Sequence, residues 1–166
     1  MTAKDKYIQL YQKMADLCEQ EGWGDPFSYA RSKEIYAACV HGHKMPGPSD
    51  YSGADAINQK GEEVEYKSTI GPKIKGSYTG ISVQPTWEQQ LKYLMEEKLG
   101  KYPEHYYNRF ANGKLVESWK LTGEQVCDIL VPKLERKFST VLSQKDPRLS
   151  ATVTTEEIKQ HGTRVL

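Results

Sequence analysis

Ser52-Gly53-Ala54-Asp55-Ala56-Ile57-Asn58-Gln59-Lys60-Gly61-Glu62-Glu63-Val64-Glu65-Tyr66-Lys67-Ser68-Thr69 is the most informative run in the chain. Asn58-Gln59-Lys60-Gly61 are turn-forming types and residues 63–67 alternate polar with apolar, which predicts two short strands joined by a turn. Side chains on a strand alternate faces, so Glu63, Glu65 and Lys67 project to one side and Val64 and Tyr66 to the other. Asp55 precedes this strand across the turn, where a hairpin brings its carboxylate beside that of Glu65. Two neighbouring carboxylates repel unless a cation neutralises them, and Mg²⁺, with its preference for one or two carboxylates, waters and phosphate oxygens, is suited to the task. Lys67 would stabilise a metal-bound hydroxide or the charge growing on an attacked phosphate. This is the chemistry of phosphodiester hydrolysis. A surface hairpin of alternating charge uses the same residue types, so the short motif gains its weight from the rest of the chain.

Working outward, 166 residues with 37% hydrophobic content suit one domain with one core. Cys18, Cys39 and Cys127 are scattered without C-x-x-C spacing, as expected of reduced thiols in a cytoplasmic protein. No apolar run approaches the roughly 20 residues that cross a bilayer, so no membrane partner is expected. A net charge of +1 offers no global argument for nucleic acid. Locally, Lys133, Arg136, Lys137, Lys145 and Arg148 outnumber Glu135 and Asp146, although a solvated helix face and loop would look the same.

Tyr7, Leu10, Tyr11, Met14, Leu17 and Cys18 recur at helical spacing and predict a first helix over 4–20, ended by Gly22, with this stripe as core or subunit contact. A second helix begins near Ser28 or Ser32 and closes at Gly42, with Ile35, Ala38 and Cys39 inward and Glu34 available as an auxiliary ligand or base. His41 and His43 flank Gly42, and a metal site at this pair is not expected. Residues 45–50 are a loop by composition. Between 68 and 85, Gly71-Pro72 and Gly76 permit bends, and Ser77, Thr79, Ser82 and Gln84 offer hydrogen-bonding side chains with Lys73 and Lys75 alongside, a composition suited to base edges and phosphates. Thr86-Trp87-Glu88-Gln89 opens a helix to about Leu99, with Trp87, Leu91, Leu94 and Met95 inward. Residues 105–111 and 114–121 flank Asn112-Gly113, a strong hairpin signal. Thr122-Gly123-Glu124-Gln125 starts another helix that Pro132 interrupts before 134–138. A last strand at 150–154 and a short helix complete one α/β domain.

At Asp55 and Glu65-Tyr66-Lys67 the chain resembles the PD-(D/E)XK nucleases, with Ala54 rather than proline before the first acid. Over most of its length it resembles the PvuII-like type II restriction endonucleases in particular. Pro46-Gly47, Gly53-Ala54-Asp55-Ala56, Gly61 and Glu65-Tyr66-Lys67-Ser68 match the catalytic pattern in order, and Lys75-Gly76 through Pro85 matches the segment that follows. His161-Gly162-Thr163-Arg164 matches the carboxyl end, and residues 88–99 stand as an insertion. The resemblance implies a mixed central β-sheet flanked by helices, working as a homodimer on palindromic double-stranded DNA. It assigns residues 1–50 mainly to dimerisation and 51–166 to catalysis and recognition. It makes Asp55 and Glu65 ligands of Mg²⁺, for which Mn²⁺ can substitute, and gives Lys67 the task of orienting or activating water. By the same token Ser77, Tyr78, Thr79, Ser82 and Gln84 would face bases, with Lys73, Lys75, Lys145 and Arg148 near phosphates. Gly80-Ile81-Ser82 stands where the family has histidines, so the target sequence does not carry over. Ser52 stands where the family has an upstream acid, leaving Glu34 or Asp50 as replacements. Two other readings fit the same fold: a structure-selective nuclease of the junction-resolvase or repair type, and an inactive DNA-binding protein.

Overall fold

The computed structural model describes residues 1–47 and 53–166; Asp50 and Ser52 lie outside the described residues. The chain forms two compact units, residues 1–61 and 62–166.

In the first unit, α1 (Ala3–Glu21) is set by a reciprocal cap in which the Thr2 side chain accepts from the Asp5 amide and Asp5 accepts from the Thr2 amide. Gly22 ends it in the left-handed region, φ 69°. Of the apolar stripe, Cys18 is buried, whereas Tyr7, Leu10, Tyr11, Met14 and Leu17 are exposed. Tyr11 stacks on Phe27 with ring centroids 3.6 Å apart. In α2 (Arg31–His41) Ile35, Ala37 and Ala38 face inward. Cys39, expected inside, is exposed, because the helix turns its small-residue face at 37 and 38 to the interior. The Asn58–Gly61 turn forms as expected: the Gly61 amide donates to the Asn58 carbonyl, and the Lys60 amide to the Asn58 side chain. The strand before it, β1 (Ala56–Ile57), is only two residues long, and Ile57 exchanges both backbone hydrogen bonds with Lys44 at 2.8 Å each.

The second unit is mixed α/β. Its main sheet runs in the order β2 (Glu63–Thr69), β4 (Glu104–Ala111), β5 (Lys114–Thr122), β7 (Thr163–Arg164). β2 and β4 are parallel, and the remaining pairs are antiparallel. The β4–β5 hairpin turns on Asn112 and Gly113, with φ of 50° and 73°, as a tight primed turn requires. β3 (Gly76–Ser82) pairs antiparallel with β6 (Arg148–Val153) in a separate ribbon. α3 (Trp87–Tyr93) runs into a π-helical turn (Leu94–Lys98), and α4 (Gly123–Leu142) and α5 (Thr155–His161) follow. Val126, Leu130, Leu134 and Phe138 of α4 pack with Tyr78, Ile81, Leu149, Val153 and Ile158 into one core.

The sequence pattern puts a break at Pro132, but α4 continues through it. Pro132 and Asp128 are exposed, so the carbonyl that loses its helical donor lies on the solvent side of the helix. Leu91 and Met95 are exposed, and the buried residue of α3 is the polar Gln90. Its Oε1 accepts from the Gln84 amide at 2.7 Å and its Nε2 donates to the Ser82 carbonyl at 3.2 Å, so it supplies hydrogen bonds to backbone at the end of β3 and just beyond it. Replacing Gln90 with alanine should cost about 1–3 kcal/mol, the penalty of leaving such buried groups unpaired. Urea denaturation checks this, and an unchanged midpoint would contradict it.

Among the described residues no helix is long and apolar enough to cross a membrane.

Candidate active site

β2 supplies the first two groups. Along it Val64 and Tyr66 are buried while Glu63, Glu65 and Lys67 are half-buried on the opposite face, as the alternation required. Lys67 Nζ donates to Glu65 Oε1 at 2.5 Å. The parallel register with β4 sets Glu65 beside His105 and Lys67 beside Tyr107. Adjacent residues on paired strands share a face, so these four side chains line one side of the sheet. Tyr66 and Tyr106 meet edge to face on the other side, centroids 5.8 Å apart. At the rim Lys101 pairs with Glu63 at 3.4 Å.

Tyr78 closes over this face from β3. Its hydroxyl lies 2.9 Å from His105 Nδ1 and 2.9 Å from the Tyr107 hydroxyl. His105 Nε2 lies 2.9 Å from the Leu99 carbonyl. A carbonyl only accepts, so Nε2 carries the proton and Nδ1 accepts from Tyr78. Tyr78 can then accept from Tyr107. The hydrogen bonds run in one direction, Tyr107 to Tyr78 to His105 to the Leu99 carbonyl. Lys67 Nζ sits 4.6 Å from the centroid of the Tyr78 ring, in cation–π contact.

Burial drives the His105 pKa from 6.5 down to about 4, against the upward pull of the Leu99 hydrogen bond. The folded protein therefore holds this ring neutral where the unfolded chain protonates it. Between those values the unfolded state binds the extra proton, so stability is full above pH 6.5 and falls as pH drops toward 4. The loss attributable to His105 between about pH 7.5 and about pH 5 is roughly 2 kcal/mol. Urea titrations at both pH values, compared with His105→Gln, should show that much less pH dependence in the variant. An NMR titration placing the folded His105 near 6.5 would contradict the account.

Asp55 belongs to the first unit, half-buried between Ala54 and Ala56, which are both buried. Glu34, in the first turn of α2, pairs with Arg31 at 3.2 Å. Ser77 and Thr79 occupy the exposed face of β3, with Ser77 Oγ 3.3 Å from Thr152 Oγ1 on β6. Arg148 Nη1 donates to Ser82 Oγ at 3.2 Å across the ribbon. Lys73, Lys75 and Lys145 are exposed, and Gln84 is half-buried. Tyr78 is corrected: it is buried, with its hydroxyl committed to His105 and Tyr107, because the period of β3 turns Tyr78 inward when Ser77 and Thr79 turn outward. Gly76 is likewise not a bend. It opens β3 where a Cβ would meet Tyr107 Cε1 at 2.1 Å, so only a glycine lets the backbone lie on that ring. Part of the basic run is structural: Lys133 bonds Glu157 and the Thr152 carbonyl, and Lys137 bonds the Ser150 carbonyl, tying α4 to β6 and α5.

Among the described residues no three His, Cys, Asp or Glu side chains gather. The donors at hand for a cation are carboxylate oxygens. Glu65 engages Lys67 through Oε1, and Oε2 has no partner among the described residues. A carboxylate oxygen is a hard donor, the type that suits Mg²⁺ and not a soft metal. His105 and Tyr107 escaped the sequence reading, although their spacing of two on a strand beside β2 is the signal that would have grouped them with Glu65 and Lys67. No protein-family model and no curated protein matches the chain.

Proposed function

We propose that the protein is a Mg²⁺-dependent endonuclease of the type II restriction class, hydrolysing phosphodiester bonds in palindromic double-stranded DNA as a homodimer. The observation that carries this reading is the Glu65–Lys67 pair on one face of β2, seated against a strand whose outer face displays Ser77 and Thr79.

Asp55 and Glu65 are the residues that would hold Mg²⁺, which when bound supplies Lewis-acid charge and an acidified water. Hydrolysis adds water to the phosphorus and releases one sugar oxygen, leaving a hydroxyl end and a phosphate end. Negative charge grows on the non-bridging oxygens as this happens, and the Lys67 ammonium is the group that meets it. Glu65 and the Tyr78 ring fix that ammonium in advance, so no side chain has to reorganise at the moment of reaction. Ser77, Thr79, Ser82 and Gln84 serve as base-reading candidates, with Lys73, Lys75, Lys145 and Arg148 gripping phosphates. The exposed stripe of Tyr7, Leu10, Tyr11, Met14 and Leu17 on α1 serves as the subunit contact.

Selection of duplexes from a random library by the Lys67→Ala protein tests recognition apart from cleavage. Enrichment of one short palindrome is expected. Preferential retention of branched DNA, or no common sequence, would contradict the restriction reading.

A further inference from the structure

We infer that Tyr78 is a positioning residue for Lys67, and that the buried chain Tyr107–Tyr78–His105–Leu99 makes the placement of the ammonium depend on the seating of β3. The consequence for catalysis rests on the nuclease reading above, while the positioning itself does not.

Three observations combine. First, the Tyr78 ring carries Lys67 Nζ 4.6 Å from its centroid while Glu65 Oε1 accepts from the same ammonium. A ring face attracts a cation through its quadrupole, and in a half-buried setting this restricts a side chain that otherwise has four rotatable bonds. Second, the ring has no freedom of its own. Its hydroxyl is held at 2.9 Å on both sides, by a histidine whose other nitrogen is fixed to a carbonyl and by a fully buried tyrosine. Third, Tyr78 lies between Ser77 and Thr79, which point the opposite way on the same strand. A displacement of β3 that moves those exposed side chains must carry the ring with it. Gly76 limits such displacement, because its backbone rests on Tyr107, the first donor of the chain. The outer face of β3 and the Lys67 ammonium are therefore joined through one buried side chain.

Competitive acylation of lysines followed by mass spectrometry reads the placement of Lys67 without substrate. Exposed Lys92 and Lys98 serve as internal references. Tyr78→Leu removes the ring face, and Lys67 should then label about three- to tenfold faster relative to the references, the range a cation–π contact of ordinary strength implies. Tyr78→Phe keeps the ring but drops the hydroxyl, and should label between the unaltered protein and Tyr78→Leu, the remaining gap reading what the hydroxyl chain adds. If Tyr78→Leu does not fold, Tyr78→Phe is compared with a ring-fluorinated phenylalanine at the same position, which keeps the shape and weakens the ring face; faster labelling of the fluorinated protein is expected. Equal labelling of Lys67 in the folded ring-bearing and ring-deficient proteins would overturn the inference. Cleavage of duplex DNA by the unaltered protein separates this from the functional reading. Absence of cleavage with altered labelling removes the nuclease assignment and leaves the positioning role standing. If cleavage occurs, Tyr78→Leu should lower kcat with KM little changed, and an unchanged kcat would overturn the catalytic consequence.

Discussion

Lys67→Ala should abolish Mg²⁺-dependent DNA cleavage, lowering the rate by about 10²- to 10³-fold or more, while duplex binding stays within about threefold. The lysine is half-buried, engaged by Glu65 at 2.5 Å and set against the Tyr78 ring. On the nuclease reading, a group held this way meets charge that appears during the reaction and does not track the phosphate backbone. Loss of one backbone contact would change affinity modestly, whereas loss of a preorganised cation next to the reacting phosphate removes several kcal/mol from transition-state stabilisation. Single-turnover cleavage and electrophoretic binding separate the two effects. Full activity in the variant would remove Lys67 from the site, and loss of both binding and cleavage would assign it to DNA affinity.

The second large effect is expected at a residue that carries no functional group. Gly76→Ala sets a methyl 2.1 Å from Tyr107 Cε1 and 2.6 Å from its Cδ1, with Lys67 Cγ 3.4 Å away. Tyr107 is fully buried within the core, so its ring has no room to withdraw. Either β3 lifts from the sheet or the ring rotates and gives up its bond to Tyr78. Overpacking and a broken buried hydrogen bond together should cost about 3 kcal/mol. The variant should also lose cleavage beyond what its stability explains, since Tyr78 and Lys67 move with Tyr107. Denaturant unfolding and cleavage at a temperature where the variant remains folded check the two parts. Wild-type stability would mean that β3 does not approach Tyr107 this closely.

Local signals in the sequence account for much of this fold. The alternation at 63–67 gave the correct inward set of Val64 and Tyr66 because one face of β2 is buried and one is not. Asn112-Gly113 and the reciprocal cap at Thr122 act within a few residues of themselves, so they read directly. What was not legible depends on partners far along the chain. Tyr78 looks like a polar strand residue until His105 and Tyr107, on another strand, are known to receive its hydroxyl. Gln90 looks like the solvent side of a helix, yet it is buried because its side chain meets the Ser82 carbonyl at the end of β3 and the Gln84 amide just beyond it. Gly76 looks like a hinge and is in fact a close contact. Glu65 and Lys67 were legible because their spacing is local, whereas the aromatic and histidine support beneath them is not.

On the proposed reading, this arrangement cuts DNA at one sequence. The direct measurement is digestion of a fully sequenced plasmid by the purified protein in Mg²⁺ and in a chelator, with fragment ends read by sequencing. Discrete fragments in Mg²⁺ alone, sharing one short palindrome at their ends, are the predicted result. No cleavage under either condition, or ends without a common sequence, would contradict it.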